Sequence, residues 1–121
     1  MYNIMCKGVN MDVQLKKGIL EICVLSSLCK GDSYGYKIIK DIQDVVNISE
    51  STLYPILRRL EKARCLETYS VEFEGRLRRY YKITSEGKSK LDEFIEQWKD
   101  VAKIYNHIIM MMEGKDINEN E

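Results

Sequence analysis

The sequence holds one proline, one histidine and one tryptophan in 121 residues, and its 19 basic and 19 acidic side chains cancel to a formal net charge of zero. Each scarcity excludes something. With Pro55 as the lone fixed backbone break, long helices are permitted almost everywhere else. His107 has no second histidine to join it as ligand or base, and Cys6, Cys23, Cys29 and Cys65 show no C-x-x-C spacing, so a zinc site is not expected. Cys23 lies in the apolar run ILEICVLSSL and reads as a small buried hydrophobe rather than a redox centre. No stretch approaches the ~20 apolar residues of a membrane span, and the N-terminus lacks the apolar core of a signal peptide. We expect a cytoplasmic chain with reduced thiols and no membrane partner. A G-x-S-x-G elbow, a glycine-rich phosphate loop and a metal-ligand cluster are missing too, so neither an enzyme nor a bound cofactor or metal is expected.

The zero net charge hides an uneven distribution. From Arg58 to Lys90 ten basic residues stand against five acidic ones, whereas from Leu91 onward three stand against eight. A basic centre in a neutral chain suits steering toward phosphate at one face. At its edge lies SESTLYPILRRLE, Ser49 to Glu61. As a helix this segment buries Leu53, Leu57 and Leu60 at i, i+4 and i+7 and turns Ser51, Thr52, Tyr54 and Arg58 outward. Those side chains suit phosphates and base edges. An interior proline costs ~3 kcal/mol, so Pro55 places the helix start near Ser51, with Ser49 or Ser51 as N-cap.

Upstream, a first helix is predicted from Val13 to Cys29, so densely apolar that it must be sandwiched. Gly31 is free to take positive φ after it, and Asp32 or Ser33 is placed to cap a second helix, Tyr34 to Val46, with Ile38, Ile39, Ile42 and Val45 as its inward stripe. The short link Asn47, Ile48, Ser49 then makes a helix-turn-helix. After Leu66 the period falls to two: Tyr69, Val71 and Phe73, then Leu77, Tyr81 and Ile83, alternate with polar residues. This is a hairpin with Glu74 and Gly75 at its tip and Arg76, Arg78 and Arg79 as a cationic edge, a wing able to reach the backbone or minor groove. Thr84 or Ser85 caps a last helix, to about Glu113, in which Leu91, Trp98, Tyr105 and Met112 repeat every seven residues beside Phe94, Val101 and Ile108, with Ile95, Ala102 and Ile109 broadening the stripe. At ~1.5 Å per residue it is about 40 Å long, more than so small a domain covers. The simplest partner is a second copy, in an isologous dimer.

The fold class is thus mainly α with a small β-hairpin: a winged helix-turn-helix plus a long C-terminal dimerisation helix. The divisions are residues 1–12, a flexible N-terminal extension; 13–84, the winged helix-turn-helix domain; 85–113, the dimerisation helix; and 114–121, a polar tail. MYNIMCKGVN carries no periodic pattern, and Met11 is an alternative start to Met1.

The element order and the segments YGYKI (Tyr34 to Ile38), TLYPILRRLE (Thr52 to Glu61), GRLRRYYKIT (Gly75 to Thr84) and EGKSKL (Glu86 to Leu91) resemble the PadR family of bacterial transcriptional regulators, over about Gln14 to Glu113. The resemblance implies a homodimeric repressor that binds a palindromic operator in double-stranded DNA and is released by a small molecule. It assigns Tyr34, Lys37, Ser51, Thr52, Tyr54, Arg58, Arg76, Arg78 and Arg79 to the DNA and packs Tyr36 inside. It also implies a dimer interface of Leu91, Phe94, Ile95, Trp98, Val101, Ala102, Tyr105, Ile108 and Met112. Ligand-responsive relatives place an aromatic where Trp98 stands, and Phe94, Ala102, Ile22 and Ser26 complete a candidate site for a small planar hydrophobic ligand. Three positions depart from the pattern. Arg64 stands where the family has glycine, so another closing geometry is expected after the recognition helix. Phe94 and Ala102 replace a small and an acidic residue around the tryptophan, which disfavours a flat cation and leaves open a filled, ligand-free seam. From a different class, the alternative is a dimeric ligand- or protein-binding adaptor without DNA binding, against which the retained Tyr54, Arg58 and wing arginines argue.

Overall fold

The computed structural model describes residues 12–114, so the question of the start residue and the tail beyond Gly114 lie outside the described residues. The elements run α1 (Val13–Ser27), α2 (Gly35–Ile42), α3 (Glu50–Lys62), β1 (Leu66–Phe73), β2 (Arg76–Ile83) and α4 (Ser85–Met112). By chain contacts they divide into two compact units, one ending at Leu91 and one beginning at Asp92.

In the first unit the three short helices pack on one another. Their inward faces, including Leu20, Val24 and Leu25 of α1, Ile38 and Ile42 of α2 and Leu53, Leu57 and Leu60 of α3, form one core with Leu66, Tyr81 and Ile83 at the hairpin root. The Asp12 carboxylate starts α1 by accepting from the Gln14 and Leu15 amides at 3.1 Å each. Burial pushes the Cys23 thiol up, which disfavours the thiolate and leaves it a poor nucleophile. Along α1, Leu20, Val24 and Leu25 are buried, Ile22 and Cys23 are half-buried, and Val13 and Leu15 are exposed. At the edge of the core, the partly buried Glu21 carboxylate accepts from Arg59 Nε at 2.9 Å and faces Lys90 Nζ at 3.7 Å, tying α1 to α3 and to the opening turns of α4.

Neither Asp32 nor Ser33 caps α2. The Ser33 backbone instead pairs with β2, exchanging both bonds with Tyr81 (3.1 and 2.7 Å). That bridge holds residues 32–34 extended, and the helix begins only after Tyr34, whose side chain makes no capping bond. The helix also stops at Ile42, four residues short of Val46. Val45 therefore leaves the inward stripe at 51% exposed, and Val46, fully buried, takes its place.

α3 opens at Ser49, whose hydroxyl meets those of Ser51 (2.9 Å) and Thr52 (3.4 Å) rather than a backbone amide. Its far end corrects the expectation for Arg64, which does adopt the left-handed conformation, at φ 63°. The Cys65 amide reaches back to the Leu60 carbonyl (2.8 Å) and the Arg64 amide to that of Glu61 (3.0 Å), the Schellman pattern that a glycine ordinarily serves. Buried Leu60 and Cys65 provide the apolar contact that accompanies it.

In the hairpin, Leu66 pairs with Ile83 and Phe73 with Arg76, leaving Glu74 and Gly75 as a two-residue loop. Both take positive φ (50° and 77°), as a type I′ turn requires. Thr84 alone separates β2 from α4. Its hydroxyl accepts from the Gly87 amide (3.1 Å) and donates to the Arg64 carbonyl (2.7 Å), while its own amide donates to the Cys65 carbonyl (3.0 Å). Gly87 is buried against that same carbonyl, and a Cβ there would collide with the Cys65 oxygen and with Ile83.

The second unit consists of the remainder of α4. Within it Phe94 and Trp98 stack at 5.5 Å, 25° from parallel. Ile95, Val101, Tyr105, Ile108 and Met112 of the apolar stripe are exposed, Met112 at 81%.

Candidate nucleic-acid interface

α3 and the wing enclose an open groove of about 900 Å³ whose lining includes Tyr34, Tyr36, Tyr54, Arg76, Arg78 and Arg79. One wall is the start of α3, where Glu50 and Tyr54 line it, and a second carboxylate, Glu74, lies at the wing tip. Burying Leu53, Ile56, Leu57 and Leu60 leaves Ser51, Thr52, Tyr54 and Arg58 exposed, as the periodicity requires. Pro55 has no N–H, so the Ser51 carbonyl on this face lacks its usual helical donor. The Tyr54 ring reaches back across the start of α2, with its hydroxyl where a Cβ of residue 35 would sit, and Gly35 makes room for it. Lys37, exposed on α2, faces Asp41 at 3.6 Å one turn on, a weak surface pair.

Tyr36 corrects another expectation: it is 59% exposed on the groove side, not packed inside. The helical period could have shown this, because Tyr36 lies two residues before buried Ile38 and hence on the opposite face of α2.

The other wall is the wing, whose three arginines occupy different environments. Arg76 flanks the tip and, among the described residues, has no ion pair or hydrogen bond. The Arg78 guanidinium lies over two rings, 4.1 Å from the Tyr34 centroid and 3.9 Å from that of Phe73. Tyr80 meets Tyr34 edge-on at 5.5 Å and stacks on its cross-strand partner Tyr69 at 5.6 Å, and the Tyr69 hydroxyl donates to Asp32 at 2.6 Å. That hydrogen bond to a carboxylate, with some desolvation, holds the Tyr69 phenol above its ordinary range. Arg79 also lines the groove but turns toward α3, where Nη2 donates to Glu61 and to Thr68, each at 3.3 Å. Beneath it burial raises the Tyr81 phenol, partly opposed by the Arg79 charge.

The comparisons with known proteins converge on one family. The model of the transcriptional regulator PadR-like family matches residues 24–93, spanning α2, α3 and the whole wing. The chain belongs to the PadR-like family. Its PadR-like fold, a winged helix with a two-stranded wing and a long C-terminal helix, recurs in a transcriptional regulator from Clostridium thermocellum at TM-score 0.69 and 37% identity, covering 78% of this chain and 96% of that one. A PadR-like transcriptional regulator from Bacillus cereus matches at TM-score 0.69 and 31% identity, over 79% and 96%. An uncharacterised protein of Lysinibacillus sphaericus is 38% identical over 103 residues, covering 81% of this chain and 92% of its own length. As a PadR-like protein, the chain is a DNA-binding transcriptional regulator.

The residues expected at a ligand site or dimer seam are distributed over both units. Ile22, half-buried, and Ser26, whose hydroxyl donates to the Cys23 carbonyl at 2.7 Å, belong to α1; Phe94, Trp98 and Ala102 belong to the second unit. Leu91 packs against the core of the first unit. Among the described residues no group of three or more His, Cys, Asp and Glu side chains could hold a metal ion, and no helix is long and apolar enough to cross a membrane. Sequence reasoning also missed Glu61 and Phe73, which hold Arg79 and Arg78: the first contact joins α3 to a strand 18 residues on, and the second is a diagonal across the hairpin that alternation alone does not single out.

Proposed function

We infer that the chain is a homodimeric, cytoplasmic repressor that sets two copies of α3 against a palindromic operator. The observation that carries this reading is the outward Ser51, Thr52, Tyr54 and Arg58 face of α3 together with a groove whose lining Tyr54 shares with the wing arginines. Side chains of this kind divide the labour of DNA recognition, with α3 toward base edges and Arg76, Arg78 and Lys37 toward phosphates. Dimerisation is supported by the exposed stripe from Phe94 to Met112 and by the half-covered outer side of α1, apolar surfaces that a second copy would bury. In a gel shift, duplex from upstream of the protein's own gene should be bound far more tightly than unrelated duplex, with affinity falling steeply as salt rises. Equal binding of both would overturn the reading as a specific repressor.

Release by a small planar hydrophobic ligand belongs to the same reading and is supported by the Trp98 indole, stacked by Phe94 on one side. A filled seam, with Trp98 as its largest knob, is the competing structure. Titrating flat aromatic compounds against Trp98 fluorescence separates the two, since a closed seam leaves the emission unchanged across a broad panel.

A further inference from the structure

The three wing arginines are similar in sequence and different in setting. Arg79 is already engaged, with Nη2 on Glu61 and Thr68. The Arg78 side chain makes no ion pair or hydrogen bond among the described residues, and its guanidinium carbon lies over two rings, 4.1 Å from the Tyr34 centroid and 3.9 Å from that of Phe73. Tyr34 is itself held by Tyr80, and Tyr80 by Tyr69 through the bond to Asp32. The Ser33 to Tyr81 bridge fixes the backbone beside this stack. A guanidinium packed over two rings is restricted in orientation, while its N–H donors stay unpaired at the groove.

We propose that Arg78 is a preformed phosphate fork, built to donate two parallel hydrogen bonds to one backbone phosphate, and that Arg79 is a strut joining the wing to α3 rather than a DNA contact. The fork is assigned to a phosphate because the rings hold the guanidinium close to the protein surface, whereas base edges lie at the groove floor. Planar, fixed donors match phosphate oxygens bidentately, and most of the ordering cost falls at folding rather than at binding. The two rings thus become positioning residues, Tyr34 among them, in place of direct contacts. This rests on the DNA-binding reading above.

The test measures affinity for two duplexes of unrelated sequence over a range of salt concentrations. Arg78→Lys keeps the charge and loses the fork, so binding should weaken about tenfold or more on both duplexes. Arg78→Ala should lower the slope of log affinity against log salt by about 0.9, the contribution of one phosphate. Tyr34→Phe keeps the ring and should bind like the wild type, whereas Tyr34→Ala should lose most of what Arg78→Ala loses. Arg79→Ala should leave the salt slope unchanged. Wild-type affinity in Arg78→Lys, an unaltered slope in Arg78→Ala, or a loss confined to one duplex would overturn the fork while leaving DNA binding in place. Wild-type protein that binds neither duplex at low salt would overturn the DNA-binding reading and the fork with it. If Tyr34→Ala melts well below the wild type, Tyr34→Phe and Arg78→Lys decide the matter between them.

Discussion

Gly35 and Gly87 are both buried, but what they make room for differs in kind. A methyl group at Gly87 would meet the Cys65 backbone carbonyl, which the closing turn of α3 and the Thr84 amide hold in place. Gly87→Ala should therefore fall at the upper end of overpacking costs, about 3 kcal/mol, as a lowered denaturant midpoint with unchanged slope. A methyl at Gly35 meets the end of the Tyr54 side chain, which is free to swing. Gly35→Ala should cost less than about 1 kcal/mol of stability, yet displace Tyr54 from the groove and weaken DNA binding. Arg64 gives the opposite sign. Positive φ costs a non-glycine residue about 1–2 kcal/mol, and the added freedom of glycine in the unfolded chain returns about 0.4–1 kcal/mol of that. Arg64→Gly should thus stabilise the protein by about 0.5–1 kcal/mol, read as a higher midpoint in urea.

At the scale of elements, the wing is fastened to the helical core partly through protonated phenols. An ionised Tyr69 would set a phenolate against Asp32, so the folded chain holds that proton more tightly than the unfolded chain does, and burial does the same for Tyr81. Stability linked to these protons is complete below the ordinary tyrosine value of about 10 and is lost as pH rises through the higher folded values. Urea midpoints measured from pH 9 to strong alkali should decline, and Tyr69→Phe should flatten part of that decline. How far the elements were legible follows from the reach of each signal. The hairpin register and tip follow from period-two alternation and a Glu-Gly pair, which are local, and the outward face of α3 follows from leucine spacing. The end of α2 does not, because the choice between Val45 and Val46 depends on where the helix stops, and the Ser33 bridge to a strand far along the chain decides where it starts. The clamp on Arg78 was illegible for the same reason, since Tyr34 and Phe73 meet only after the wing has folded back.

At the scale of the whole molecule, the proposed dimer makes stability depend on concentration. Each tenfold rise in protein concentration should favour the folded dimer by about 1.4 kcal/mol, raising the melting temperature. Ile108→Glu, at a half-exposed position of the stripe, should abolish that dependence and sediment as a monomer. Thr84 has a related consequence. With one residue between β2 and α4, and with its hydroxyl and amide both tied to the end of α3, α4 has no slack in which to turn at its root. The opening turn of α4 is therefore locked to the end of α3, and Thr84→Val, which keeps the shape and removes both hydroxyl bonds, should lower the urea midpoint while leaving the helix content unchanged.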